Sequence, residues 1–245
     1  MINNKKVIGI VGTFNLTNPD NDPYKDNVSF VSMYYDLITA CGAIPIGILD
    51  RNNVKDYLDI CDGYLWPGGG CIQRGYNIIF ENAIKNHKPI LGICLGLQAI
   101  NTYFSVVEDQ KEYPKLSYEE VYQKLKNDKP YLIRMSETNV ANHDHYVTKD
   151  EESIKRSLHK INLDENGELF KLYQNNIIYE PSMHTIMVAR IPSCLKVNAK
   201  TDDGIVEGIE YINDDVKILG VQYHPELIKD IKPFEWLVNN IKKND

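Results

Sequence analysis

An α/β fold with a mostly parallel sheet flanked by helices is predicted by three observations. Short continuous apolar runs recur through the first hundred residues, as in strands covered on both faces. Helix-length stretches with an apolar stripe separate them. The two kinds of segment alternate, and strand–helix–strand repetition of this kind places helices on both faces of parallel neighbours.

The first run, Val7-Ile8-Gly9-Ile10-Val11, reads as a strand. A polar loop with Asn, Asp and Pro follows over roughly 13–27, then a helix over 28–41 that Gly42 ends. Residues 44–49 give a second strand, 54–60 a short helix, and 63–67 a third strand broken by Gly68-Gly69-Gly70. A helix over 76–86 carries Ile79, Phe80, Ala83 and Ile84 on one side. Residues 89–93 form a fourth strand, and another helix starts over 97–104. From 106 to 158 the sequence is charged and Tyr-rich, with one amphipathic helix near 117–127, the profile of a lid or an excursion. Strands return over 160–163, 177–179, 185–189, 195–199, 206–211 and 218–222, and a helix over 232–242 closes the chain. With no internal repeat and no Pro/Ser-rich linker, residues 1–245 are expected to form a single domain, with 106–158 as its variable, lid-like part.

Composition narrows the function. The 245 residues are 43% hydrophobic and 10% aromatic, enough for a sizeable core. The formal charge of −7 is spread in both signs along the chain. That argues against a nucleic-acid footprint, which needs a concentrated basic face, and leaves room for a cationic substrate. No apolar run approaches the length of a bilayer span. The opening MINNKKVIGIVG reads as a strand, not a signal peptide, so a cytoplasmic location without membrane contact is expected. Five cysteines, an odd number without CxxC spacing, favour neither a disulfide framework nor structural zinc. Cys41, Cys61, Cys71 and Cys194 read as small buried hydrophobes. His143-Asp144-His145 stands in a polar loop and reads as solvated, so no metal site is assigned.

Cys94 is the exception. Pro89-Ile90-Leu91-Gly92-Ile93-Cys94-Leu95-Gly96 runs from an apolar strand into Gly-x-Cys-x-Gly and then a helix, the form of a nucleophile elbow. A sharp turn there lifts the side chain out at the carboxyl edge of the sheet, and the glycines permit close backbone packing. The helix N-terminus favours thiolate over thiol. The N–H of Leu95 points where an oxyanion develops. A buried cysteine between two packing glycines is the plainer alternative. The second segment is Gly220-Val221-Gln222-Tyr223-His224-Pro225-Glu226, where a strand ends in a stiff turn. A base needs reach to the nucleophile and a third group to hold its tautomer. His224 and Glu226 have those chemistries; a surface turn with a chance histidine is the alternative. Gln98 lies one helical turn beyond Cys94, on its face.

Together these segments resemble the class I glutamine amidotransferase-like family, whose signatures GICLGLQ and GVQYHPE match in that order. The resemblance implies a flavodoxin-like α/β fold with additional C-terminal strands, Cys94 as nucleophile, His224 as base and Glu226 as third member. Trp66-Pro67-Gly68-Gly69-Gly70 is similar to the family's PGG turn, which implies a second oxyanion donor at Gly69 or Gly70 beside Leu95. Within the class, the chain most resembles the γ-glutamyl-γ-aminobutyrate hydrolase group, peptidase C26. VIGIVG, Ala40-Cys41-Gly42-Ala43-Ile44-Pro45, Asp62-Gly63, Asn101, His159, Gly167-Glu168-Leu169 and the stretch from Thr201 to Glu207 carry that likeness, outside roughly 106–158. Ser182, Met183 and His184 stand where that group has a longer Asn-Ser-x-His-His-Gln stretch, and with Gln98 they are the implied substrate contacts; a helix–core hydrogen bond for Gln98 and a satisfied histidine on a strand for His184 are the alternatives. Leu95 departs from the Arg common in that group and matches glutaminase subunits; the second His and the Gln of the longer stretch are absent, and Cys71-Ile72-Gln73-Arg74 replaces an Asp-Pro segment. Arg134, Asn139 and His143 read equally as pocket lining or solvated loop.

The implied activity is cleavage of a γ-glutamyl amide through a Cys94 thioester, releasing glutamate and an amine, with no cofactor. The alternatives are a glutaminase subunit serving a separate synthase and a catalytically silent binding or regulatory relative. A homodimer is compatible with each.

Overall fold

The computed structural model describes residues 2, 4–14, 28–48, 54–70, 77–138 and 150–242. Expectations for the loop over 15–27, for 71–76 with Cys71, and for 139–149 with Asn139 and His143-Asp144-His145 lie outside the described residues.

In chain order the elements are β1 (Val7–Val11), β2 (Thr13–Phe14), β3 (Val28–Ser29), α1 (Ser32–Ala40), β4 (Ile44–Ile48), α2 (Val54–Leu58) and β5 (Gly63–Trp66). Then come α3 (Asn77–Lys85), β6 (Ile90–Ile93), α4 (Leu95–Asp109), α5 (Tyr118–Leu125), β7 (Leu132–Arg134) and α6 (Glu151–Ser157). The C-terminal part holds β8 (Leu158–Leu163), α7 (Glu168–Tyr173), β9 (Ile177–Pro181), β10 (Ile186–Val188), β11 (Leu195–Lys200), β12 (Val206–Tyr211), β13 (Ile218–Val221) and α8 (Lys232–Asn239).

Nine strands form one sheet in the order β4-β1-β5-β6-β13-β12-β11-β8-β9. The first five are parallel to one another, and the last four pair antiparallel from β13 outward. This is the α/β architecture expected, with the additional C-terminal strands forming half of the sheet.

Period-two alternation divides the core. Ile8, Ile10, Leu65, Leu91, Ile93, Leu219 and Val221 point to the face covered by α1, α7 and α8, where they meet Tyr34, Leu37, Ile38, Leu169, Phe234 and Leu237. Tyr64, Trp66, Ile90 and Ile218 point to the other face and meet Ile79, Phe80, Leu97, Ile100 and Phe104 from α3 and α4. Helix α4 lies close on the sheet because its seat is glycine. A Cβ on Gly92 would stand 2.5 Å from the backbone carbon of Gly96, and one on Gly96 only 2.1 Å from the Trp66 carbonyl oxygen.

Three expectations change. Residues 28–29 are a strand, paired antiparallel with Thr13–Phe14, so the helix expected over 28–41 starts only at Ser32. The β-branched Val28 prefers the extended state, and Val31 caps the helix with extended backbone. Among its described residues the region 106–158 is more regular than its polarity suggests, and the amphipathic helix expected near 117–127 forms as α5. Its first residues complete α4, α5 starts with a capping box of Ser117 and Glu120, and β7 pairs antiparallel with β10. A small satellite core of Val106, Val121 and Tyr131 fixes α5 to the distal end of α4. Helix α7 was unmarked in the sequence, where six residues carry too little periodicity to register.

Candidate active site

Neighbouring strand ends assemble the site. In the parallel register Trp66 stands beside Gly92, and Ile93 beside Val221. The residues that follow, Gly68 and Gly69, Cys94, and Gln222 to Glu226, therefore emerge together at the carboxyl edge of the sheet, the usual ligand edge of open α/β folds.

Cys94 caps α4 with φ 52° and ψ −101°, a left-handed backbone uncommon for a side chain. The Cys94 N–H donates to the Val221 carbonyl at 2.7 Å, which ties the elbow to β13. The thiol side chain is buried, with 7% of the residue exposed. Leu95 opens the helix, so its N–H has no intrahelical partner.

His224 Nδ1 lies 2.7 Å from Glu226 Oε1, and both residues are buried. The backbone N–H of His224 donates to Pro181 O at 2.9 Å. Burial opposes the charged ring, but Glu226 and Cys94 outweigh it and hold its pKa well above the usual histidine range. Nε2 is buried without a hydrogen bond within normal distance, and Cys94 is the ring's neighbour on the other side from Glu226. The glycine turn closes over this pair: a Cβ on Gly68 would stand 2.9 Å from His224 Cε1 and 3.5 Å from Cys94 Cβ. The Gly68 N–H points to the Tyr34 hydroxyl at 3.4 Å. Gly69 and Gly70 are both exposed, and a Cβ on Gly69 would stand 3.2 Å from Leu95 Cδ2.

Two residues absent from the sequence-based candidates join the site. Tyr34 donates to Glu226 Oε1 at 2.7 Å. Gln222, fully buried, donates from Nε2 to Cys94 Sγ at 3.5 Å and accepts from Gln98 Nε2 at 3.3 Å. Gln222 was legible as part of GVQYHPE; Tyr34 carried no local signal. Gln98 also donates to Ile186 O at 3.1 Å, so its amide is engaged in the scaffold beside the sulfur. Ser182 is fully buried, and its N–H donates to Ser157 O. Met183 is 39% exposed. The His184 ring is buried, with Nδ1 3.1 Å from Ile186 O and Nε2 3.4 Å from Glu207 Oε1. It braces the loop from inside. Arg134 is exposed on β7. Among the described residues no group of His, Cys, Asp and Glu is placed to hold a metal ion, and no helix is long and apolar enough to cross a membrane.

Behind the site, burial and then Asp230 push the Glu180 carboxyl up to about 9. Between the unfolded value near ~4.3 and that value the folded protein holds a proton the unfolded chain has released. Stability from this group therefore falls as pH rises through that window. Glu180→Gln is expected to raise the melting temperature at pH 8 and to leave it nearly unchanged at pH 4.5. Equal shifts at both pH values in thermal melts would contradict this.

The chain is similar to known proteins across the site. The family model described as Peptidase C26 matches residues 75–226, more than half of the chain. The match includes Cys94, His224 and Glu226 and crosses 106–158, a region where the sequence alone gave no likeness. Protein NtpR of Enterococcus hirae is 28% identical over 151 residues, 61% of this chain and 52% of that protein, so the chain spans about half of its length. A glutamine amidotransferase-like protein of Rickettsia prowazekii is 25% identical, over 80% of this chain and 82% of the relative. The CTP synthase of Thermosipho africanus is 27% identical over 76% of this chain but only 36% of the synthase. Among solved structures, the glutaminase domain of Trypanosoma brucei CTPS with bound acivicin superposes with a TM-score of 0.65 over 98% of this chain and 95% of that one, at 20% identity. The fold is that of class I glutamine amidotransferase domains, and the chain belongs to the peptidase C26 family.

Proposed function

We propose that this protein hydrolyses the γ-glutamyl amide bond of a small γ-glutamyl compound. The observation that supports this best is the buried line from Glu226 through His224 to Cys94, with Gly69 lying close to the Leu95 side chain. The Cys94 thiolate attacks the γ-carbonyl, and the oxyanion rests on the N–H groups of Leu95 and Gly69. Gly69 is preferred over Gly70 because it lies close to the Leu95 side chain. The tetrahedral adduct collapses as His224, held as imidazolium, gives its proton to the departing amine, leaving a γ-glutamyl thioester. His224 then takes a proton from water, which attacks the thioester and releases glutamate. Gln222 steadies the sulfur through its amide, and neither a metal nor an organic cofactor enters these steps.

A second reading, a glutaminase serving a synthase partner, draws support from Leu95 and from the similarity to CTP synthases. The amine distinguishes the two. Glutamate release from glutamine and from a panel of γ-glutamyl amines, compared as kcat/KM in the isolated protein, is expected to favour amines larger than ammonia. If glutamine is the better substrate, or is hydrolysed only when a partner is added, the glutaminase reading replaces the first. No glutamate from any compound would leave the silent relative.

A further inference from the structure

We propose that Tyr34 is a positioning residue that ties the carboxylate of Glu226 to the backbone of the Gly68–Gly69 turn, so that the proton relay and the oxyanion donors are held as one unit. The inference rests on the hydrolytic reading above and adds to it a residue outside both sequence signatures. Tyr34 sits on α1, remote in sequence from every other group of the site, and is 2% exposed. Its hydroxyl donates to Glu226 Oε1 at 2.7 Å, the same oxygen that meets His224 Nδ1 at 2.7 Å. It also accepts from the Gly68 N–H at 3.4 Å. One oxygen atom thus lies between the third member of the relay and the turn that carries Gly69. Burial, and then the charge of Glu226, keep the phenol protonated and therefore donating.

Packing alone does not explain the oxygen. The ring lies against Phe234 with centroids 6.4 Å apart, a contact that phenylalanine would keep. Glu226 Oε2 is buried without a hydrogen-bond partner, so the two donors on Oε1 are what orient the carboxylate. The Gly68 turn in turn lies close to the ring, since a Cβ there would stand 2.9 Å from His224 Cε1. A shift of the turn therefore moves the ring as well as the Gly69 amide. The titratable groups that face Glu226 are His224 from the same turn, with Cys94 beyond it, and Glu180 from β9, with Asp230 and Lys232 behind Glu180.

The test is Tyr34→Phe, with Tyr173→Phe as control. Tyr173 donates to Asp230 and contacts Tyr223, in the same buried region but away from Glu226. With γ-glutamyl-p-nitroanilide, Tyr34→Phe is expected to lower kcat about 10- to 100-fold, with a smaller change in KM. The alkaline limb of kcat/KM, set by the raised His224, should move to lower pH, because the carboxylate that holds the imidazolium has lost one of the two donors that orient it. Tyr173→Phe should lower the melting temperature without moving the limb. Tyr34→His, which keeps a ring N–H, should recover part of kcat. Wild-type kcat and limb in Tyr34→Phe, or equal losses in the Phe and His variants with an unmoved limb, would overturn the proposal. If the wild type releases no p-nitroaniline, the hydrolytic reading fails separately. The pH profile of Cys94 alkylation by iodoacetamide still decides the role of Tyr34, since it needs no substrate: a profile shifted in Tyr34→Phe supports it, and an unchanged one rejects it.

Discussion

Cys94→Ala is expected to reduce glutamate release by about 10⁴-fold or more, the scale seen when a covalent nucleophile is removed. The fold should survive, because the side chain lost is small. The other described cysteines are poor competitors as nucleophiles. Burial, with Glu235 adding to it, pushes the Cys41 thiol up to about 11; burial pushes Cys61 up to about 12 and also raises Cys194. Iodoacetamide at a limiting dose near neutral pH should therefore label Cys94 first, and activity should fall in proportion. Labelling elsewhere with activity intact would remove Cys94 from the mechanism. The backbone gives a second, independent measurement. Glycine relieves a positive φ worth roughly 1–3 kcal/mol, at an entropic cost of about 0.5–1 kcal/mol. Relief is the larger effect, so Cys94→Gly should melt at a higher temperature than Cys94→Ala while being equally inactive. The converse order would show that the elbow stores no strain.

Removing His224 should cost nearly as much as removing Cys94, and the double variant little more, because groups in one relay do not act additively. Glu226→Gln should cost less. The amide keeps an oxygen for Nδ1–H but loses the charge that holds the imidazolium. Glu226 and Cys94 together raise the His224 pKa against the effect of burial. The protonated ring needed for amine departure therefore persists through neutral pH and is lost only as pH climbs through the raised value. In Glu226→Gln that value falls, so the alkaline limb of kcat/KM should move to lower pH. The same linkage acts on stability. The contribution from His224 is fully present below the unfolded value near ~6.5 and disappears as pH rises through the folded one. An alkaline limb that stays in place in Glu226→Gln would refute the electrostatic role given to the carboxylate.

The parallel strands of the sheet and the elbow were legible in local pattern. Ile90 to Ile93 followed by Cys94 and the flanking glycines is a local pattern, and strand, turn and helix N-terminus are written within about ten residues. His224 and Glu226 were legible for the same reason: their spacing across a proline is local. Gly69 was marked by its turn, whereas its closeness to the Leu95 side chain exists only in the fold. Tertiary structure alone decided the rest. The antiparallel strands β11, β8 and β9 extend the sheet away from β13, yet the end of β9 returns to the site, where Pro181 O receives the N–H of His224. No local propensity encodes that return. Tyr34 likewise reads as one more apolar position of an amphipathic helix until folding brings its hydroxyl to Glu226, 192 residues away. In the polar stretch after 106 the amphipathic α5 was legible from its own stripe, whereas β7 was not, because it draws its stability from pairing with β10. Periodicity records which face of a segment is apolar. The partner that covers that face, and the polar atom that meets a buried hydroxyl, exist only once distant segments have packed.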